Sequence, residues 1–160
     1  MFILLTANQV SQLGQDFTNE NILLVQSPKI TLTDTQAWTD FNLLSASENV
    51  LLLISIRPKD NTIVFNSRTA GGPWGPEERV PLAGQLEGNT PSIAIYDHGD
   101  RYQILLNLKT VLYYNKRLLE SGVAFGYDQD ETSDVAFGNT LALDVYDSLA
   151  DIIPRLSGSN

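Results

Sequence analysis

Few side chains in this chain are equipped for chemistry, and most of those fall in three stretches: Ser55 and Arg57, Asn66, and the run Trp74-Gly75-Pro76-Glu77-Glu78-Arg79. An indole beside a guanidinium, a carboxylate and an amide suits a pyranose, whose C–H face packs on an aromatic ring while fixed donors and acceptors meet its hydroxyls. Side chains alternate along an extended segment, so Glu77 and Arg79 share one side and Glu78 takes the other. Standing between Arg57 and Arg79, Glu77 would hold both in position. Each residue alone has a blander reading, since tryptophan more often packs than binds and an Arg–Glu–Arg set is more often a surface ion-pair network. Their joint placement is what favours a ligand site.

Other chemistries fit less well. Glycoside hydrolysis needs two carboxyl groups facing one cleft, about 5 Å apart for retention or about 6.5 to 9.5 Å for inversion. Glu77 and Glu78 are adjacent and point to opposite faces, so the chain is expected not to be an enzyme. His98 is the only histidine and sits in Asp97-His98-Gly99-Asp100. Without a Gly-x-Ser-x-Gly nucleophile elbow it reads as a structural turn histidine. The acidic run Asp128-Gln129-Asp130-Glu131-Thr132-Ser133-Asp134 invites calcium, which takes clustered oxygen ligands, but lacks the glycine and closing glutamate of a hand-type loop. It reads as a solvated loop, and neither metal nor cofactor is expected.

The elements that must position these residues read as strands. Apolar runs recur between turn signals at Asn21–Ser27, Asp40–Ser45, Val50–Arg57, Thr62–Arg68, Ser92–Asp97, Arg101–Leu106, Thr110–Asn115 and Leu141–Tyr146, with a first strand at the apolar N-terminus. Pro58-Lys59-Asp60-Asn61, Gly71-Gly72-Pro73, Gly88-Asn89-Thr90-Pro91 and the His98 turn supply the reversals. Alternation within Val50–Arg57 puts Leu52, Ile54 and Ile56 toward a core and Leu53, Ser55 and Arg57 on the opposite side. A short turn at Pro58–Asn61 would make Thr62–Arg68 its neighbour and bring Asn66 to that polar face. Helical periodicity is weak; the best candidate, Ser148–Ile153, is short and is expected to stop at Pro154.

Composition narrows the class. With 160 residues, 42% hydrophobic and 18% charged, the chain suits one domain with a core of its own. There is no cysteine, hence no disulfide or thiolate. A net charge of -9 argues against nucleic acid, whose binding draws on basic patches; Lys116-Arg117, the only adjacent basic pair, is too small for such a patch or a membrane surface. No apolar window reaches the roughly 18 to 20 residues of a spanning helix, so no membrane insertion is expected. The N-terminus lacks a basic n-region and reads without a signal peptide.

The stretches Phe41-Asn42-Leu43-Leu44-Ser45, Leu52-Leu53-Ile54-Ser55-Ile56-Arg57-Pro58, Ile63-Val64-Phe65-Asn66-Ser67-Arg68, Trp74-Gly75-Pro76-Glu77-Glu78-Arg79 and Asp97-His98-Gly99-Asp100-Arg101-Tyr102-Gln103-Ile104 resemble the galectins of mushroom fruiting bodies. Tyr113-Tyr114-Asn115-Lys116-Arg117 is similar too. The resemblance implies an all-β, antiparallel two-sheet sandwich of jelly-roll type, a single galectin-type carbohydrate-recognition domain over residues 1–160. It implies metal-free recognition of oligosaccharides or glycoconjugates, with Arg57, Asn66, Glu77 and Arg79 on sugar hydroxyls and Trp74 beneath the ring. Ser55 takes a place that is Asn in animal galectins and Ser in some mushroom relatives. Also implied are a homo-oligomer, dimer or tetramer, and a cytoplasmic location or unconventional secretion.

One departure stands out. Leu53 occupies the position where the family pattern has a histidine that hydrogen-bonds the axial 4-hydroxyl of galactose. A lost neutral hydrogen bond costs about 0.5 to 1.5 kcal/mol and a hydroxyl left desolvated about 1 to 3 kcal/mol, so galactose affinity is expected to fall roughly 5- to 150-fold. Two readings stay open: a lectin of altered specificity, and a galectin-fold interaction protein with a silent sugar site.

Overall fold

In β4 (Thr39–Ser45) the alternation of the sequence becomes a two-faced strand. Thr39, Phe41, Leu43 and Ser45 are buried, while Asp40, Asn42 and Leu44 between them are partly exposed. The same logic, with local irregularities, forms the other strands of this computed structural model, which describes residues 2–28, 30–130 and 136–156, the last four by their backbone alone. These are β1 (Phe2–Thr6), β2 (Gln9–Phe17), β3 (Ile22–Gln26), β5 (Val50–Arg57), β6 (Thr62–Arg68), β7 (Glu78–Pro81), β8 (Ser92–Asp97), β9 (Arg101–Leu106), β10 (Lys109–Asn115), β11 (Gly122–Gln129) and β12 (Thr140–Tyr146), followed by helix α1 (Leu149–Leu156).

Two six-stranded sheets result, in the orders β1-β12-β3-β8-β9-β10 and β2-β11-β4-β5-β6-β7, with antiparallel pairing throughout. The core lies between them, with Phe41, Phe65, Phe125 and Tyr127 from the second sheet meeting Leu23, Ile95, Ile104 and Leu143 from the first. Phe41 stacks on Tyr127 at 5.3 Å between centroids and meets the edge of Phe137 at 5.5 Å. Burying each such side chain contributes about 1.5 to 3 kcal/mol. The antiparallel sandwich expected from the spacing of apolar runs is the architecture observed.

The reversal from β5 to β6 is a single 3-10 turn at Pro58–Asp60 closed by Asn61 in the left-handed region (φ 51°), whose N–H reaches Pro58 O. Proline presets the first turn position and asparagine tolerates the left-handed one. That closure makes β5 and β6 neighbours, with Leu53 opposite Asn66 and Ser55 opposite Val64.

Four elements differ from the sequence reading. β2, β7 and β11 are strands that no apolar run announced. In β2 only Leu13 and Phe17 are fully buried, because the partly buried positions of the same alternating row, Ser11 and Gln15, carry polar side chains, while Gly14 (φ 76°) lies where the register with β11 shifts. β11 carries Gly122 and Gly126, which blank two positions of its pattern. Helix α1 runs through Pro154 to Leu156 instead of stopping there. At the sixth helical position proline forfeits one intrahelical bond, to the Ala150 carbonyl, and in so short a helix the loss is confined to that bond. Among the described residues no helix is long and apolar enough to cross a membrane.

Candidate functional site

The outer face of the second sheet carries the residues singled out by sequence. A bulge in β5 between Val50 and Leu53 lets both Leu51 and Leu52 turn into the core; from Leu53 onward odd residues face outward. Cross-strand register then sets two rows over β4, β5 and β6: Asn42, Leu53 and Asn66, and below it Asp40, Ser55 and Val64, extended by Arg79 of β7. Leu53 is only 5% exposed, hemmed between these polar neighbours.

Glu77 sits between two arginines. Its Oε1 accepts from Arg79 Nε at 3.0 Å and from Arg79 Nη2, and its Oε2 lies 3.5 Å from Arg57 Nη1. The hydrogen bonds from Arg79 hold the Glu77 carboxyl below the usual glutamate range against the opposing effect of burial, aided by the positive charges of Arg79 and Arg57. Arg57 turns its Nε to Ser55 Oγ at 3.1 Å, and the Ser55 hydroxyl in turn supports the Asp40 carboxyl. Ser55 is 1% exposed, so its oxygen is spent behind the arginine.

Trp74 lies on the loop between β6 and β7 and is 41% exposed. The Arg68 guanidinium covers one of its faces at 4.4 Å. Glu78, pointing away from Glu77, pairs with Arg117 at 3.2 Å. Arg117 does more than pair: its Nη1 donates to Asn66 Oδ1 at 2.8 Å and its Nη2 to Pro76 O at 2.7 Å, with the guanidinium 5.0 Å from the Tyr114 ring. Asn66 Oδ1 also accepts from Ser67 N, and Asn66 Nδ2 donates to Gly75 O at 2.8 Å. The amide is therefore locked, with one N–H of Nδ2 uncommitted. A Cβ on Gly75 would lie 2.8 Å from Arg117 Nη1 and 3.4 Å from Asn66 Oδ1, so a side chain there would displace the guanidinium.

Sequence reasoning missed Arg117. The only available signal was a basic pair after β10, and nothing local says that its second member crosses to the loop of another sheet. Also missed was the acidic end of the same face. Asp128 is not part of a loop, as the acidic run suggested, but closes β11 and pairs with Asp40 in register; residues 131–135 lie outside the described residues. Burial raises the Asp128 carboxyl, and burial, reinforced by Asp128, raises Asp40 against the lowering effects of Ser55 and Arg57. His98 is elsewhere, in the β8–β9 turn, with Nε2 2.8 Å from Gln103 Oε1 and its ring stacked on Tyr96 at 4.1 Å. Among the described residues no group of three or more His, Cys, Asp or Glu side chains is placed to hold a metal ion.

A two-sheet antiparallel sandwich with an exposed tryptophan beside a clamped glutamate defines a class, and comparison with known proteins agrees. The model of the galactoside-binding lectin family matches residues 10–127; the chain belongs to the galectin family and is a carbohydrate-binding lectin. Its relatives include mushroom proteins. Galectin-1 of Coprinopsis cinerea is 44% identical over 96% of this chain and 99% of its own length, and Galectin-2 of the same fungus is 42% identical over the same shares. An anti-tumor lectin of Cyclocybe aegerita is 35% identical over 70% of this chain and 72% of its own. Among solved structures, a Caenorhabditis elegans galectin aligns with TM-score 0.67 and 17% identity over 89% of this chain and 95% of its own, and sheep Galectin-11 with TM-score 0.67 and 14% identity over 89% and 99%. At those identities the two structures speak for the fold alone.

Proposed function

We propose that the outer face of β4, β5 and β6 binds glycans without catalysis, and that its preference is shifted away from simple β-galactosides by Leu53. The carrying observation is Trp74, exposed beside a glutamate that is tied to Arg57 and Arg79. A pyranose ring stacks on the indole face that Arg68 leaves open, burying C–H groups while the charged trio meets its hydroxyls. Because Glu77 already orients both guanidiniums, little side-chain freedom is lost on binding. Asn66 contributes its remaining N–H, Ser55 steadies Arg57, and Arg117 steadies Asn66.

Leu53 gives this surface an apolar spot where a hydroxyl finds no partner. A ligand that places an acetamido methyl, a deoxy carbon or an equatorial hydroxyl there is favoured over one with an axial 4-hydroxyl. Single sites of this kind are shallow, and display of several copies raises avidity; a homo-oligomer of a single-domain chain, made in the cytoplasm or exported unconventionally, fits that use. A glycan array of β-galactosides, fucosylated galactosides and chitooligosaccharides tests the reading. Wild type should bind a defined subset and Trp74→Ala none of it. An array on which wild type binds nothing would instead favour a galectin fold used for protein interaction.

A further inference from the structure

Beside Trp74 the same outer face continues over β4 and β11 as a groove of about 390 Å³. Its floor is open at Gly126, which pairs with Asn42 on one side and Val10 on the other. A Cβ there would meet Val10 Cγ2 at 3.5 Å, Asn42 Cβ at 3.8 Å and Asp128 Oδ2 at 4.0 Å, all ordinary contacts. Gly126 is thus not demanded by backbone geometry or crowding; what its missing side chain provides is depth.

The polar groups of the groove are mainly acceptors. Asp40 and Asp128 face each other across β4 and β11, and Asp40 Oδ1 is buried without a hydrogen-bond partner. Asn42 Nδ2 reaches Asp128 Oδ2 only at 3.5 Å. Glu48 adds a third carboxylate at the rim, and Arg68, the one cation among the described residues lining the groove, is engaged on Trp74. Arg57, the other nearby cation, is shared between Glu77 and Ser55.

Resting on the glycan-binding reading above, we propose that Asp40 and Asp128 make this groove charge-selective. It admits saccharide units that present hydroxyl or ammonium donors and rejects units that carry a carboxylate or sulfate. With Asp40 Oδ1 closed to solvent and unpaired, the Asp40 and Asp128 charges are poorly compensated from within, so a donor arriving at the open side of the pair is favoured, whereas an anion near the two carboxylates meets repulsion that low-dielectric surroundings amplify. The raised pKa of both aspartates has the same origin: their charged forms are poorly solvated where they sit. An ammonium relieves that condition, and a second anion aggravates it.

Amide and indole NMR spectra of the protein at pH 7 test this, with three methyl glycosides added separately at millimolar concentration: a galactoside, a glucosaminide with a free amine, and a glucuronide. The galactoside and the glucosaminide are expected to shift the Gly126, Asp128 and Asn42 amides, and the glucuronide to act about tenfold more weakly there. Asp128→Asn should narrow the gap between glucosaminide and glucuronide. Gly126→Val, which fills the floor, should silence the groove shifts while the Trp74 indole N–H still responds. If Trp74 responds and the groove amides do not, or the glucuronide binds the groove as well as the glucosaminide, charge selection is wrong and the glycan-binding reading survives. If neither Trp74 nor the groove responds to any glycoside, both readings fall.

Discussion

The two sheets share one core and turn opposite outer faces to their surroundings. On the first sheet, Ile22, Leu24 and Ala94 form a second apolar cluster closed by Ile152 of α1, with Tyr96, Leu105 and Tyr146 at its margin. On the second, polar and charged side chains stand over β4, β5 and β6, and among the described residues no helix crosses them. The difference teaches that an outer sheet face stays open for a ligand when its polar groups are tied to one another. Glu77 holds two arginines, Ser55 is held by one of them, and Arg117 fixes Asn66. A face without such ties has apolar surface to cover, and here a terminal helix covers part of it.

The largest effect is expected in the core that both sheets share. Phe41→Ala removes a ring that touches Phe125, Tyr127 and Phe137, and should lower unfolding stability by about 3 to 5 kcal/mol in urea titrations. A loss below about 1 kcal/mol would mean that the core collapses around the gap. Ile152→Ala strips the helix side only. It should reduce stability by about 2 kcal/mol and leave glycan binding on the opposite sheet within twofold of wild type.

On the open face the effects are smaller in stability and larger in function. Arg117→Met deletes the contacts to Asn66, Pro76 and Glu78, with an expected loss of about 1 to 2 kcal/mol and a change in Trp74 fluorescence as the loop loosens. Unchanged emission together with unchanged binding would show that the loop is held without it. Asp128→Asn is the mildest change. Because burial raises this carboxyl, the folded state takes up protons more readily than the unfolded chain. Stability therefore falls as pH rises from the unfolded-state carboxylate range through the folded value, and the variant should gain about 1 to 3 °C in Tm near neutral pH. The gain should fade in acid, where Asp128 is protonated in both states. Glu77 has the opposite sign: its depressed carboxyl stays ionised to lower pH, so its clamp on the two arginines outlasts the charge on the aspartates as pH falls.

The bounds of β5 and β6 were legible to the residue, and so was the face that Leu53, Ser55, Arg57 and Asn66 share, but the bulge that turns Leu51 inward beside Leu52 was not. Split sides for Glu77 and Glu78 followed from the same rule, and their separate partners, Arg79 and Arg117, agree with it. What alternation cannot report is distance across the fold. Asp128 belongs to a strand whose glycines blank the pattern, and the reach of Arg117 depends on how one sheet's last turn sits against another sheet's loop. Both became visible only once β11 stood beside β4 and the turn after β10 beside the Trp74 loop.

We propose that this face is a working sugar site whose preference Leu53 has redirected. Lactose titration by calorimetry, wild type against Leu53→His, tests it most directly, read beside array binding of the wild type. Wild type is expected to bind lactose weakly or undetectably, and Leu53→His to gain at least about fivefold and to lose the wild type's own array ligands. Tight lactose binding by wild type that Leu53→His leaves unchanged would contradict it.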